Sequence, residues 1–396
     1  METIRENTVE TKKKASASTK ALIAVFVGFI AVFSLLFVFL PKHEGELSPN
    51  ERRILAPAPN ASLSNIMSGG FSKEVDSWLQ DHFPGRTFFV SLYSYLNRFT
   101  GRNPVEGVSL GRDARLFTTP IGVNDRVIET NVSKLKKFAE DNALNARTYI
   151  IPTSGYMLES ELPHPHLDYH DGEIIDRFRT ELGESYKAIS AEEVLRAYGD
   201  ASGLYYRTDH HLTMRGSYVS YCAIARELGL TPLSESEFTK TGYEFFGTSY
   251  GQSGLFLTPP DTLETWVGSY DKALSVVTVD GSREEEHTGS LDMSCLEDGV
   301  VDKYAAYLYS NHGITYITND EAEGGTLLVL KDSYGNAIVP FLAAHYHTII
   351  MIDTRTLYYS PSMKTPTELC GEYGVTDFVV IAGLDTVADG TLDWLR

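Results

Sequence analysis

The first strong pattern along the chain is an unbroken apolar run near the N-terminus. Residues 21–40 carry no charged side chain, and only Gly28 and Ser34 interrupt the apolar positions. As a helix rising about 1.5 Å per residue, this run is about 30 Å long, the thickness of the hydrocarbon core of a bilayer. The pattern predicts a transmembrane anchor over residues 21–40.

Charge on the two sides of this run predicts its orientation. Four lysines precede it, and Pro41 and an acidic stretch follow it. The positive-inside rule therefore predicts a cytoplasmic tail over residues 1–20 and an extracytoplasmic main domain at the membrane. A cleaved signal peptide is the alternative, but the run is longer than such a segment and ends without a small-x-small cleavage site, which favours an uncleaved anchor.

The periodicity changes twice after the apolar run. Residues 41–69 have no apolar period and are rich in Pro, Ala, Ser and Asn, which is typical of a linker or extended arm. Residues 70–104 show apolar positions at helical spacing on both sides of Pro84-Gly85, which predicts an N-terminal segment of two amphipathic helices. We interpret the aromatic residues in these helices as core packing.

Residues 105–396 alternate short apolar runs with amphipathic stretches, as in an α/β domain built on an open parallel sheet with helices on both faces. Within this domain, residues from about 234 to 302 are irregular and rich in Gly and Thr, which predicts a β-rich insertion. The predicted strands cover residues 147–152, 204–206, 325–330, 348–352 and 377–382, and the predicted helices cover residues 132–140, 190–198 and 213–228.

Composition narrows the class of protein. The 42% hydrophobic and 22% charged residues predict a globular core, and the net charge of -19 argues against sequence-independent binding of nucleic acid. Cys222, Cys295 and Cys370 lie far apart and cannot form a zinc knuckle or a dense disulfide framework. We expect three buried, unpaired cysteines, with a single bridge and one remaining thiol as the alternative.

Two segments carry candidate catalytic side chains. In the first, a predicted strand over residues 204–206 runs into Asp209, His210 and His211, so that the aspartate and a histidine can face one crevice and the carboxylate can fix the imidazole tautomer. In the second, Ser333 follows a strand and opens a helix, whose N–H groups can help to hold an oxyanion. Together these segments supply a nucleophile, a base and an orienting carboxylate.

Another histidine cluster offers a different chemistry. His164, His166 and His170 have a spacing that zinc can use, and His210 would add a fourth ligand to a zinc-dependent hydrolase. However, Pro163 and Pro165 impose an extended loop, and a solvated or substrate-lining loop is the simpler interpretation. We therefore predict no metal in the catalytic site.

Several blocks of the chain resemble the DHHW family of bacterial surface proteins. They are Thr-Asp-His-His (208–211), Lys-Asp-Ser-Tyr (331–334) and Ile-Asp-Thr-Arg (352–355), and residues 81–86 and 107–116 resemble the N-terminal region of that family. The resemblance covers about residues 50–390 in unbroken order. The family is similar in turn to the alginate O-acetyltransferases, so the resemblance implies an SGNH-hydrolase-like fold in permuted order, with Asp-x-His before Ser.

Carried over by position, the resemblance makes Ser333 the nucleophile, His211 the general base and Asp209 its orienting group. It leaves His210 at the less constrained intervening position. Four residues are candidates for the oxyanion or substrate contacts, namely Arg355, Asn311, Tyr250 and His210. One departure is Leu212, which stands where the family has the tryptophan of its name. If that indole contacts the acceptor or the histidine, we expect this chain to differ from the family in substrate choice or rate.

The resemblance implies an acetyltransferase or esterase that acts on a cell-surface polysaccharide through an acyl-serine. It implies no cofactor, because the acetyl group would come from a partner, such as an integral-membrane O-acyltransferase, or from an activated acyl compound. A non-catalytic glycan-binding or envelope-assembly protein is the main alternative, and the zinc-dependent hydrolase is the second.

Overall fold

The computed structural model describes residues 16–48, 50–51, 53–357, 364–390 and 392. The chain divides into two compact units, the first formed by residues 1–48 and 53–90 and the second by residues 49–52 and 91–396. Over the described residues the α-helices are α1 Ala17–Phe39, α2 Leu63–Met67, α3 Gly70–Asp81, α4 Arg86–Phe99, α5 Asp125–Asp141, α6 Ser154–Met157, α7 Asp171–Leu182, α8 Ala191–Ala197, α9 Met214–Glu227, α10 Thr248–Ser253, α11 Ser333–Leu342, α12 Pro366–Tyr373 and α13 Leu384–Ala388.

Three sheets contain the strands of the described residues. The strands are β1 Val108–Leu110, β2 Leu116–Thr118, β3 Asn145–Ile151, β4 Lys187–Ile189, β5 Phe238–Phe245, β6 Asp261–Gly268, β7 Leu274–Asp280, β8 Arg283–Thr288, β9 Ile314–Asn319, β10 Gly324–Lys331, β11 Tyr346–Ile352 and β12 Asp377–Gly383.

The first unit joins the apolar helix α1 to a small aromatic cluster. Among the described residues, α1 is the one helix long and apolar enough to cross a membrane, with a mean hydropathy of 3.0. Phe33 of α1 stacks on Phe83 with ring centroids 5.3 Å apart, and Phe37 meets Trp78 edge to face at the same distance. The predicted helix is therefore present, and its C-terminal half packs against aromatic residues of the two predicted amphipathic helices.

The segment predicted as an arm, residues 41–69, makes defined contacts within the first unit. Leu47 and Ile54 form an isolated bridge, and Arg53 donates two hydrogen bonds to the Asp81 carboxylate at 2.8 and 2.5 Å. The helix α2 also lies in this segment. Polar side chains thus order part of a stretch that has no apolar period.

The central sheet of the second unit has eight strands in the order β4-β3-β12-β10-β11-β9-β7-β8. The five strands from β4 to β11 are mutually parallel, whereas β9, β7 and β8 extend the sheet antiparallel. The predicted α/β sheet is confirmed. The carboxyl ends of β3, β12, β10 and β11 meet at one edge, where open α/β sheets place their ligands.

Helices cover both faces of this sheet. Alternate residues of β10 point to opposite faces, so Leu327 and Val329 join one hydrophobic cluster and Leu328 and Leu330 join the other. The first cluster includes residues of α9 and α11, and the second includes residues of α5 and α7. Because β10 is buried on both faces, its sequence is a continuous apolar run rather than an alternating one.

One predicted strand is wrong. Residues 204–206 follow a 3₁₀ turn and form only a single bridge, between Tyr205 and Leu212. The guanidinium of Arg115 donates to the carbonyls of Ser202, Tyr205 and Tyr206, so these carbonyls need no neighbouring strand. The side chains are nevertheless buried, which explains why the segment has the apolar pattern of a strand.

The stretch from 234 to 302 is rich in strands, but it is not separate from the domain. β5 and β6 form their own antiparallel pair, whereas β7 and β8 continue the central sheet beyond β9. The cysteines are unpaired, as expected, and Cys222 and Cys370 are buried. The expected burial of Cys295 is wrong, because this residue is half-buried.

Phe378 provides a test of the core. It is fully buried in β12, with Phe138 and Tyr186 edge-on to its ring. We expect Phe378→Ala to lower the free energy of unfolding by about 3–5 kcal/mol, because it leaves a large cavity. Urea unfolding of the detergent-solubilised full chain measures this change. Phe99→Ala, at a residue 89% exposed, is the control, and equal effects of the two substitutions would contradict this description of the core.

Candidate active site

Ser333 lies at the turn between β10 and α11, at the carboxyl edge of the sheet. The preceding residue, Asp332, caps the helix by accepting from the Tyr334 N–H at 2.9 Å. Its other oxygen accepts from the Gly383 N–H at 2.6 Å and from the Thr386 hydroxyl at 2.8 Å. This buried carboxylate therefore ties the serine turn to the end of β12 and leaves the Ser333 side chain half-buried.

The structure brings Asp209, His211 and Ser333 together. His211 Nδ1 lies 2.6 Å from Asp209 Oδ1, and His211 Nε2 lies 2.7 Å from Ser333 Oγ. The His211 backbone N–H also donates to Asp209 Oδ1, at 2.9 Å. These distances are those of a nucleophile, a base and an orienting group in hydrogen-bond contact.

A glycine turn supports the second oxygen of Asp209. The Thr248 N–H donates to Asp209 Oδ2 at 2.6 Å, and the Gly247 N–H donates to the Thr208 hydroxyl at 3.0 Å. A Cβ atom on Gly247 would lie 2.2 Å from the Asp209 Cβ, so only glycine fits. The sequence analysis named only Tyr250 of this turn, as a candidate for the oxyanion or substrate contacts, and did not predict that Gly247 and Thr248 support Asp209.

Aromatic rings hold the His211 imidazole from several sides. Tyr304 stacks on it at 4.0 Å between centroids and 15° between planes, and Tyr334 meets it edge to face at 4.9 Å. The Tyr304 hydroxyl also donates to the Ser333 carbonyl at 3.2 Å. Sequence analysis missed Tyr304, because no local motif marks a tyrosine that packs on a distant histidine.

Burial and neighbouring groups determine the protonation states of His211 and Asp209. Burial and the neighbouring His210 lower the pKa of His211 to about 4, against the opposing pull of Asp209. Burial works to raise the pKa of Asp209, but its histidine neighbours and the N–H donors on its oxygens hold that pKa well below its ordinary value. At neutral pH the imidazole is therefore neutral, with its proton on Nδ1 toward Asp209 and Nε2 free to accept from Ser333.

Two donor groups are available for an oxyanion. Within the described residues, the Ser333 backbone N–H, at the first position of α11, has no hydrogen-bond acceptor. Asn311 accepts at Oδ1 from Lys331 Nζ at 3.2 Å and from Asn336 Nδ2 at 3.0 Å, so its own Nδ2 points away from these groups. This amide orientation is the one that the predicted donor role requires.

Lys331, Asp353 and Arg355 form a charged group behind the serine turn. The ammonium of Lys331 is buried and lies 2.7 Å from Asn336 Oδ1 and 3.3 Å from Asp353 Oδ2. Arg355 binds the same carboxylate in bidentate fashion, at 2.9 and 2.7 Å. The predicted Arg355 thus lies at the correct sheet edge, and its positive charge acts on the pKa of both Asp332 and His211.

The remaining predicted residues have mixed placements. His210 packs on His211 at 4.0 Å and is partly exposed, so it lies at the site. Tyr250 is buried, and its N–H donates to the Thr208 carbonyl at 3.0 Å, so it supports the Asp209 loop. Leu212 is 1% exposed in the main core, and this departure from the family sequence falls in the core.

Only one group of three possible metal ligands exists among the described residues, and it consists of Asp209, His210 and His211. His164, His166 and His170 are not part of such a group, although the first two rings lie 5.4 Å apart. Both ring nitrogens of His211 already face protein groups. The histidine cluster that the zinc alternative required is therefore not assembled.

Comparisons with known proteins agree with this geometry. The family model described as "DHHW protein" matches residues 178–352, which confirms the resemblance to the DHHW family. No curated protein sequence matches the chain.

Solved structures show the same fold. A DHHW family protein from Eubacterium siraeum is 21% identical, with a TM-score of 0.59 over 72% of this chain and 93% of that one. PatB1 of Bacillus cereus is 18% identical, with a TM-score of 0.59 over 73% of this chain and 98% of that one. The structure of PatB1 with a sulfonyl adduct is 19% identical, with a TM-score of 0.58 over 71% of this chain and 95% of that one. The O-acetyltransferase domain of Pseudomonas putida AlgJ is 13% identical, with a TM-score of 0.44 over 73% and 97%. The matches to the Eubacterium siraeum protein and to PatB1, with TM-scores of 0.58 to 0.59, show that the chain has the predicted SGNH-like fold.

The neutral state of His211 can be measured directly. We expect its imidazole to titrate near pH 4 by NMR of the histidine-labelled full chain, because burial disfavours the charged form. His210→Gln should move this midpoint upward, since it removes a neighbouring charge. A midpoint near about 6.5, the ordinary pKa of histidine, would contradict the expected environment.

Gly247→Ala tests the support of Asp209. The new methyl group must displace the carboxylate, so we expect labelling of Ser333 by a sulfonyl fluoride to slow by about 100-fold. Gly203→Ala, at an exposed position with open space, is the matched control and should label at the wild-type rate. Equal labelling of the two folded variants would show that Gly247 does not position the site.

Proposed function

We propose that this chain is a membrane-anchored, extracytoplasmic acetyltransferase or esterase that acts on a cell-surface polysaccharide. The observation that carries the proposal is the continuous hydrogen-bonded series from Asp209 through His211 to Ser333. The imidazole is neutral and is packed between aromatic rings. One of its nitrogens contacts a serine hydroxyl and the other contacts a carboxylate, and this arrangement is suited to nucleophilic catalysis.

In the proposed first half-reaction, Ser333 Oγ attacks the carbonyl carbon of an acetyl ester while His211 Nε2 takes the hydroxyl proton. The Ser333 N–H and the Asn311 amide donate to the oxyanion that develops. The ester C–O bond then breaks, and His211 returns the proton to the departing alcohol, which leaves acetyl-Ser333. In the second half-reaction a sugar hydroxyl or water attacks, His211 accepts its proton, and the Ser333 oxygen departs with that proton.

Two comparisons support this chemistry. PatB1, which shares the fold, has been solved with a sulfonyl adduct, and sulfonyl groups bond to nucleophilic side chains. The DHHW resemblance, through its likeness to alginate O-acetyltransferases, supports acetyl transfer to a polysaccharide. The substrate class enters the proposal through these likenesses, whereas the residue roles rest on the geometry.

The apolar helix α1 supports the location. Its length and composition suit a single membrane crossing, and the lysines before it favour a cytoplasmic N-terminus. In that orientation the Ser333 site lies outside the cell, away from cytoplasmic acyl donors. We therefore propose that an integral-membrane O-acyltransferase or an activated acyl compound supplies the acetyl group.

Mass spectrometry of the acyl-enzyme tests the proposal. We expect the detergent-solubilised full chain, mixed with an activated acetyl ester, to gain an acetyl group on Ser333. Ser333→Ala should abolish the adduct, and His211→Ala should slow its formation by about 100- to 10,000-fold, because the general base is lost.

Ser294→Ala is the matched control, since Ser294 is exposed and outside the site, and it should acylate like wild type. If Ser333→Ala formed the adduct at the wild-type rate and to the wild-type extent, the serine mechanism would be wrong. When acetyl-Ser333 is exposed to polysaccharide fragments, acetylated sugar identifies a transferase and free acetate alone identifies an esterase.

A further inference from the structure

A cavity of about 470 Å³ opens in the second unit, and segments of its lining adjoin in sequence residues that contact Asp209 and His211. We call it the side cavity and define it by its lining, which consists of Asn50 and residues 242–246, 250, 298–301 and 303. Its volume lies within the usual range for small-molecule sites, about 300–1,000 Å³.

Both walls of the side cavity continue directly into residues that hold the catalytic side chains. The wall formed by residues 242–246 runs into Gly247 and Thr248, and the Thr248 N–H donates to Asp209 at 2.6 Å. The wall formed by residues 298–303 runs into Tyr304, whose ring stacks on His211 at 4.0 Å. The chain therefore joins the cavity to both members of the Asp-His pair within a few residues.

The lining combines aromatic rings with hydrogen-bond acceptors. Tyr243, Phe246 and Tyr250 contribute aromatic surface, and Phe246 packs on Tyr250 with ring centroids 4.4 Å apart. Glu244 and Asp298 contribute exposed carboxylates. Apolar ring faces beside a few polar groups are typical of a site for a compact organic ligand with both kinds of surface.

The charges that line the side cavity disfavour anionic ligands. Among the described residues of the lining, the one cationic side chain is Lys303, which is buried with its ammonium donating to the carbonyls of Leu296 at 3.1 Å and Glu297 at 2.6 Å. The exposed charges of these described lining residues are therefore negative, and they repel phosphates and uronates while accepting hydrogen bonds from hydroxyl groups. A neutral sugar fits both properties, since its C–H faces pack on aromatic rings and its hydroxyls donate to carboxylates.

We propose that the side cavity binds a neutral sugar unit of the acceptor and presents its hydroxyl group to acetyl-Ser333. This inference rests on the proposed function and deepens it by naming the acceptor site and the class of sugar. In the step it serves, the sugar hydroxyl oxygen bonds to the acetyl carbon, its proton passes to His211 Nε2, and the bond from that carbon to Ser333 Oγ breaks. The proton then passes to Ser333 Oγ, which restores the free serine.

Two variants of the full chain in detergent test the cavity. Tyr243→Ala removes an aromatic face, and Val301→Trp fills the space from a half-buried position. Tyr198→Ala, at an exposed tyrosine outside the lining, is the matched control. The probes are neutral cello- and chito-oligosaccharides and, for comparison, an oligogalacturonate.

Two rates are measured for each variant, namely acetylation of Ser333 by an activated ester and loss of the acetyl group as sugar concentration rises. We expect both cavity variants to acetylate Ser333 within about twofold of wild type but to need about tenfold more neutral sugar for half-maximal deacetylation. Tyr198→Ala should match wild type in both rates.

Direct binding separates the failure of this inference from the failure of the proposed function. Saturation-transfer NMR with the Ser333→Ala chain reports sugar binding without any acyl chemistry. Neutral sugar bound by Ser333→Ala and lost when Val301→Trp is added supports the side cavity, even where Ser333 fails to acylate. Binding of no neutral probe, equal binding of the oligogalacturonate, or unchanged sugar dependence in the cavity variants overturns the inference.

Discussion

The burial of the Asp209 carboxylate is the constraint on which the candidate site depends. A buried charge is costly unless donors surround it, and here the donors are the backbone and ring N–H groups of His211 and the N–H of Thr248. That demand fixes the tautomer of His211, because its Nδ1 must carry the proton. It also explains Gly247, since the Thr248 N–H reaches the carboxylate only where the chain passes without a Cβ atom.

Two more buried carboxylates lie along the sheet edge, and their charges are satisfied in two different ways. Among the described residues Asp332 has no ammonium or guanidinium partner in hydrogen-bond contact, and it accepts from the N–H groups of Tyr334 and Gly383 and from the Thr386 hydroxyl. Asp353 is paired with Lys331 and Arg355. The first joins the serine turn to β12 and the second joins it to the end of β11, so the nucleophile is held by its neighbours in the sheet rather than by its own loop.

The sequence predicts those parts of the molecule that depend on local pattern. The buried strands β10, β11 and β12 contain continuous apolar runs, β3 ends in one, and Asp209, His211 and Ser333 lie in recognisable blocks. The strand predicted over 204–206 is wrong because Arg115, distant in sequence, donates to its carbonyls. Tyr304 was not predicted for a similar reason, since it stacks on a histidine that is far from it in the sequence.

The choice between transfer and hydrolysis follows from how the acceptor competes with water. In the proposed mechanism His211 Nε2 accepts a proton equally well from either, so the proton-transfer groups do not discriminate. A sugar hydroxyl prevails only if binding holds it close to acetyl-Ser333 at high effective concentration. The side cavity is the proposed site of such binding, and its walls lead in sequence to Thr248 and Tyr304, which contact Asp209 and His211. If that cavity binds the acceptor, occupancy of one site decides both which sugar is modified and whether the acetyl group reaches a sugar at all.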